Sequence, residues 1–315
     1  MKLIPAFLRL IRWPNLFFIV LTQFLFYYCI LLRIKIPPVE SHFSFRLFLY
    51  LVMASVLIAA AGYIINDYFD MNIDQVNKPS KLVIDKIIKR RWAMVWHIFL
   101  SLIGIVFCFY IDFIRHTFWL GLSNLACVLL LFGYSVTIKK KLLIGNILIS
   151  VLTAWVIIVV YLCYQNSFYI PGIGDVMDPN IRIRFTRMTM LYAGFAFVIS
   201  LIREVIKDIE DMEGDAKYGC KTMPIVWGVP ASKMFVAVWI IVLTGGSIVV
   251  QFYVLQFGWW WSAVYCLLLI ILPLAWVLRK LYQAKVSGDY HQLSNVIKMI
   301  MFTGIVSMLL FKIYS

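Results

Sequence analysis

Asn66-Asp67-Tyr68-Phe69-Asp70-Met71-Asn72-Ile73-Asp74 and Lys207-Asp208-Ile209-Glu210-Asp211-Met212-Glu213-Gly214-Asp215 share one acidic spacing, D-x-x-D-x-x-x-D. Their first aspartates lie 141 positions apart, and nine of the fifteen carboxylates fall in or just before these two stretches. Wound as helix, Asp67, Asp70 and Asp74 occupy an arc of about 60°, as do Asp208, Asp211 and Asp215. Glu204 falls inside the second arc, whereas Glu210 and Glu213 point away from it. Three carboxylates on one helix face repel one another unless cations lie between them. Hard oxygen ligands at this spacing suit Mg²⁺, which keeps several waters and is commonly shared with substrate phosphates. Asn66 adds a neutral amide at the rim. Solvated helix ends at a membrane surface would explain either motif alone, but not the repeated spacing.

Bases stand close to both motifs. Asn77-Lys78-Pro79-Ser80-Lys81 follows the first, with Lys86, Lys89, Arg90 and Arg91 beyond it. Arg203, Lys207 and Lys221 flank the second, and Lys139–Lys141 form a further run. Divalent cations combined with Lys and Arg form the arrangement that clamps a diphosphate and stabilises it as it leaves. Among the aromatics, Tyr134 is the one singled out as a face that could shield a carbocation. The 139–141 run, Lys86 and Lys89 serve equally well as determinants of membrane topology.

The elements that must position these groups lie in lipid. The chain is 63% hydrophobic and 14% charged, with a mean hydropathy of +0.91, outside the range of a soluble globular domain. Apolar stretches long enough to cross a bilayer recur along the whole length. They predict nine transmembrane helices, near 13–32, 46–65, 92–111, 117–137, 142–164, 185–206, 231–255, 259–279 and 294–313. The fold class expected is therefore all-α and polytopic, one transmembrane domain over 1–315. Cap loops at about 66–91 and 207–230 would hold the chemistry. With the N-terminus in the cytoplasm, 20 of the 29 bases fall on the cytoplasmic side, as the positive-inside rule requires. Both acidic motifs then face the cytoplasm and the C-terminus lies outside, in the inner membrane if the cell is prokaryotic.

Several functions are disfavoured. There is no C-x-x-C or zinc spacing, and five of six cysteines fall within apolar spans, so they read as small buried hydrophobes. No H-E-x-x-H, Walker loop or dinucleotide fingerprint is present. The net charge of +14 is accounted for by topology and a phosphate site, with no nucleic-acid partner. The first apolar segment is too long for a signal-peptide core and reads as a retained helix. The polar insertion Gln165–Arg184, with Asp175 and Asp178, reads as an outer surface loop. Gln23 either lines a cavity or bonds a neighbouring helix.

At these residues the chain resembles the UbiA superfamily of intramembrane prenyltransferases. Asn66-Asp67-x-x-Asp70-x-x-x-Asp74 with Asn77-Lys78-Pro79 is similar to its first aspartate-rich motif, and Asp208-x-x-Asp211-x-x-x-Asp215 to its second. Trp13-Pro14-Asn15 resembles the start of its first helix. Tyr134-Ser135, Lys139–Lys140 and Gly145-Asn146 resemble its central signature. The resemblance implies nine helices around a central cavity open to lipid, with the two motifs facing each other. It implies two Mg²⁺ ions, one on Asn66, Asp67, Asp70 and Asp74 and one on Asp208, Asp211 and Asp215. Asn66, Lys78, Lys81, Arg203, Lys207 and Lys221 would bind the diphosphate, with Tyr134 beside the cation. The implied catalytic set is Asp67, Asp70, Asp208, Asp211 and Tyr134.

The resemblance also implies partners: a polyprenyl diphosphate donor, a lipophilic acceptor and membrane lipid. Arg203-Glu204-x-x-Lys207-Asp208 with Gly219-x-Lys221-Thr222-x-Pro224 is most similar to the digeranylgeranylglyceryl phosphate synthase branch, which prenylates a glycerol-phosphate ether lipid. An aromatic or quinone-precursor acceptor is the alternative within the class. A cation-coupled transporter is the alternative outside it. Lys81 stands where many members carry Arg, keeping the charge but losing the bidentate fork.

Overall fold

A computed structural model describes residues 3–32, 43–77, 83–165, 169–170, 174–175 and 177–314. Helices dominate: α1 (Leu3–Leu10), α2 (Trp13–Leu25), α3 (Phe45–Asn77), α4 (Arg90–Arg115), α5 (Trp119–Val136), α6 (Ile144–Gln165) and α7 (Pro179–Glu210) come first. After them follow α8 (Met212–Lys217), α9 (Met223–Val226), α10 (Gly228–Leu255), α11 (Trp260–Cys266), α12 (Leu272–Gln283), α13 (Ser287–Val306) and α14 (Met308–Tyr314). Among the described residues nine helical segments are long and apolar enough to cross a membrane, matching the nine predicted spans in order. The chain is an all-α integral membrane protein.

Three local features depart from the sequence reading. The polar insertion contains a small antiparallel hairpin, β1 (Tyr169–Ile170) on β2 (Gly174–Asp175). Helix α7 starts six residues before the predicted span, because Asp178 accepts hydrogen bonds from the backbone N–H groups of Asn180 (2.7 Å) and Ile181 (3.2 Å). That carboxylate satisfies otherwise orphaned donors at a helix start. Finally, α3 does not stop at residue 65, where the predicted span ends, but carries on through the whole first acidic motif.

The chain divides into two compact units. The first comprises Met1–Phe24, Lys35–Lys139 and Trp155–Thr189. Here glycines let helices touch. A Cβ at Gly62 of α3 would stand 2.9 Å from a Leu131 methyl on α5, and one at Gly104 of α4 would stand 2.8 Å from Ile58. Gly121 meets the Phe109 ring as closely. Asp112, buried at the end of α4, accepts from the Gly121 N–H at 2.6 Å and the Thr117 hydroxyl at 2.6 Å, capping α5. Gln23 is fully buried and its amide N–H₂ reaches Ser55 Oγ (3.0 Å) and the Val156 carbonyl (3.1 Å). It ties α2 to α3 and α6, as one of its two predicted roles requires.

The second unit comprises Leu25–Ile34, Lys140–Ala154 and Met190–Ser315. Its core gathers Ile202, Val205, Ile206 and Ile209 of α7 with Val236, Leu274, Val277, Leu281, Leu293 and Ile297. These positions recur at three- and four-residue spacing, so each helix offers one stripe to the centre. Pro273, lacking an N–H to give, follows a π-helical turn at Leu267–Ile271 that joins α11 to α12.

Candidate functional site

In the first unit α3 holds Asn66, Asp67, Asp70 and Asp74 on one unbroken helix, so the predicted arc is realised. Each of the first two aspartates meets a base. Arg12 Nη2 donates to Asp67 Oδ1 at 2.6 Å, and its guanidinium lies 5.2 Å from the centre of the Tyr63 ring. Arg12 reaches this position from the turn between α1 and α2, where it adopts a left-handed φ of 51°. Asp67 raises its already high pKa further.

Lys139 Nζ stands 2.6 Å from Asp70 Oδ1 and donates to Asn66 Oδ1 at 3.1 Å. The Asn66 amide closes the triangle by donating to Asp70 Oδ2 at 2.8 Å. Two side-chain oxygens thus already grip a cation in a half-buried setting. An all-oxygen set of carboxylates and an amide fits a hard divalent ion. Among the described residues no group of three or more Asp, Glu, His or Cys converges on a common point. Asp67 and Asp70 instead meet bases from other segments. Lys78 and Lys81 lie outside the described residues.

The second unit carries its motif differently. Helix α7 ends at Glu210, Asp211 takes φ −95° and ψ 5°, and α8 begins at Met212. The single straight helix assumed for Asp208, Asp211 and Asp215 is therefore interrupted. The hydrogen-bond ladder nonetheless runs on, from the Asp211 N–H to the Lys207 carbonyl (2.9 Å) and from Asp215 N–H to the Asp211 carbonyl (3.2 Å). Asn146 of α6 donates to Asp208 Oδ2 at 2.8 Å.

Arg203 Nη1 donates to Glu204 Oε1 at 2.9 Å, and Lys207 Nζ lies 3.9 Å from the other Glu204 oxygen. Both expected phosphate clamps thus meet the one glutamate inside the acidic arc. Glu210 turns instead to His291 Nδ1 at 2.8 Å, and Glu213 is exposed. The exposed Lys221 is pinned through its backbone, whose N–H donates to the Lys140 carbonyl at 2.8 Å. Tyr134 is half-buried near the end of α5, five residues before Lys139 in the 3₁₀ turn Ile138–Lys140.

Three contacts went unassigned in the sequence reading. Arg12 enters the sequence reading only through topology, Lys139 through a basic run and a resembled signature, and Asn146 through that signature alone. Each did stand beside a quoted motif: Arg12 before Trp13-Pro14-Asn15, Lys139 five residues after Tyr134, Asn146 after Gly145. Position alone could not show which carboxylate each would meet.

Comparison with known proteins agrees with this picture. The UbiA prenyltransferase family matches residues 38–302. A digeranylgeranylglyceryl phosphate synthase of Methanosphaera stadtmanae is 27% identical over 78% of this chain and 81% of its own length. A solved structure described as that of a digeranylgeranylglyceryl phosphate synthase in membranes superposes with a TM-score of 0.62 at 24% identity, covering 98% of both chains. A UbiA homologue from Archaeoglobus fulgidus, bound to DMAPP and Mg²⁺, superposes with a TM-score of 0.51 at 13% identity over 96% of this chain and 99% of its own.

Proposed function

This chain belongs to the UbiA prenyltransferase family, and from that premise we propose that it transfers a geranylgeranyl group from its diphosphate to the hydroxyl of a prenylglyceryl phosphate. The allylic C–O bond breaks and the diphosphate leaves with the electron pair. The acceptor oxygen then forms the new ether bond and gives up its proton. The observation that carries the reading is the Asn66–Asp70–Lys139 cluster, where side-chain oxygens hold a cation within the family's first aspartate-rich motif. The names of relatives such as that of Methanosphaera stadtmanae support the acceptor.

The proposed metal ligands are Asn66, Asp67, Asp70 and Asp74 for one ion, and Asp208, Asp211 and Asp215 for a second. Mg²⁺, when bound there, would neutralise the diphosphate and help it depart. Asn66, Arg203, Lys207 and Lys221, with Lys78 and Lys81, would hold its oxygens; Arg12 and Lys139 join them on the strength of their contacts with Asp67 and Asp70. Tyr134 would turn its ring to the allylic cation. Both units would then serve one catalytic domain spanning 1–315. The motifs would face the cytoplasm, with the N-terminus inside and the C-terminus outside, a placement supported by the distribution of bases. Family membership leaves the transporter alternative without support.

The test is an acceptor screen on purified protein in nanodiscs with Mg²⁺ and labelled geranylgeranyl diphosphate. Geranylgeranylglyceryl phosphate, 4-hydroxybenzoate, dihydroxynaphthoate and homogentisate form the panel. An EDTA-sensitive ether lipid is the expected product. An aromatic product would keep the transferase and overturn the acceptor.

A further inference from the structure

Helix α1 has eight residues, about 12 Å of helix, far too little to cross a bilayer. Its inner face buries Ala6 and Leu10 in a core with Val83, Ile84 and Ile88. Its outer face is apolar as well: Leu3 is 64% exposed, Ile4 74% and Leu8 41%. On the helical wheel these three and Phe7 share an arc of about 140°, with Arg9 outside it.

The same surface continues onto α4. The rings of Phe7 and Trp96 lie 5.0 Å apart, and Trp92 and Val95 are each 51% exposed. Exposed bases border this patch: Arg9, Lys89 and Arg91. Only Ile11 and Arg12 separate α1 from the membrane-spanning helix that starts at Trp13. The surface available to α1 is therefore the leaflet in which that span begins. A short helix with an apolar face, Trp beside it and bases around it has the composition of an element that lies in the headgroup layer. Bases at that depth favour anionic headgroups.

We propose that α1 and the first turns of α4 form an interfacial anchor for an anionic leaflet, its apolar face immersed and its bases on lipid phosphates. The assignment is independent of the transferase reading, although the anchor ends at Arg12, the residue that holds Asp67. Seating α1 in lipid thus fixes one support of the first carboxylate cluster.

The six native cysteines are all buried, so an Ile4→Cys variant takes a spin label at one site, and the exposed position leaves the fold intact. Power-saturation EPR in nanodiscs of phosphatidylcholine, with and without phosphatidylglycerol, reads the depth of the label. The expected result with phosphatidylglycerol is a label shielded from an aqueous nickel complex, open to oxygen, and about 5–10 Å below the phosphates. Adding Lys89→Gln and Arg91→Gln should reduce that depth to the value seen in phosphatidylcholine alone. A label exposed to water in phosphatidylglycerol discs would overturn the anchor. Equal depth in both lipids would overturn the anionic partner, and dipolar broadening between labels would assign the face to a second copy of the chain instead.

Discussion

The two acidic motifs have the same spacing and different supports. The first lies on one continuous helix, and Asp67 and Asp70 meet a guanidinium and an ammonium from distant segments. The second is interrupted at Asp211; Asp208 meets a neutral amide, while Arg203 and Lys207 turn to Glu204. Spacing sets where carboxylates emerge on a helix. What neutralises them is decided by whichever segments the fold brings alongside. A motif read as a pair of equals is therefore a pair with unequal electrostatics.

The strongest attack on this comparison removes one carboxylate from each side. Asp70→Ala and Asp211→Ala should each lower transfer by about a thousandfold or more, and EDTA should abolish it until Mg²⁺ is restored, because charge on a leaving diphosphate dominates such a barrier. Radiolabelled product formation checks both. If only one variant is inactive, the clusters do not share the chemistry.

A packing change should separate the sites next. Gly62→Leu would drive a side chain into Leu131, where even a Cβ comes within 2.9 Å, forcing α5 and the Lys139 that follows it away from α3. Overpacking of this kind costs about 1–3 kcal/mol. Thermal unfolding in detergent should reveal the loss of stability, and metal titration should show weakened binding at the first cluster.

Smaller effects test the neutral partner against the charged ones. Lys139→Gln should slow transfer about tenfold, since a charge-assisted contact is lost from a half-buried acid. Asn146→Ala should cost roughly three- to tenfold, since the amide gives Asp208 one hydrogen bond but no opposite charge. Steady-state kinetics on both would invert the comparison if the asparagine proved the costlier loss. Least of all, exposed Glu213→Ala should stay within about twofold of the parent enzyme.

The spans were legible in the sequence because lipid imposes one long apolar requirement on every crossing helix. The nine predicted stretches correspond in order to the observed ones, although charged Arg182, Arg184 and Arg187 hid the true start of α7 behind a polar pattern. The orientation of Asp67, Asp70 and Asp74 was legible too, being a matter of helical angle within one element. The break at Asp211 was not, since Glu210-Asp211-Met212 contains no proline or glycine to announce it. Nor could Arg12 be paired with Asp67 across 55 positions, or Asn146 with Asp208 across 62. Such contacts depend on tertiary packing and leave no local trace.

Helix α3 has a consequence for the membrane the protein lives in. Its 33 residues make a rod of about 50 Å, against a hydrocarbon layer of about 30 Å. With no loop between the span and the acids, the rod cannot absorb hydrophobic mismatch by bending at that point. A thicker bilayer would draw the aspartates toward the water line, and a thinner one would lift them clear of it. Transfer rates measured in lipids of graded acyl length should therefore pass through an optimum, making membrane thickness itself a variable of the enzyme.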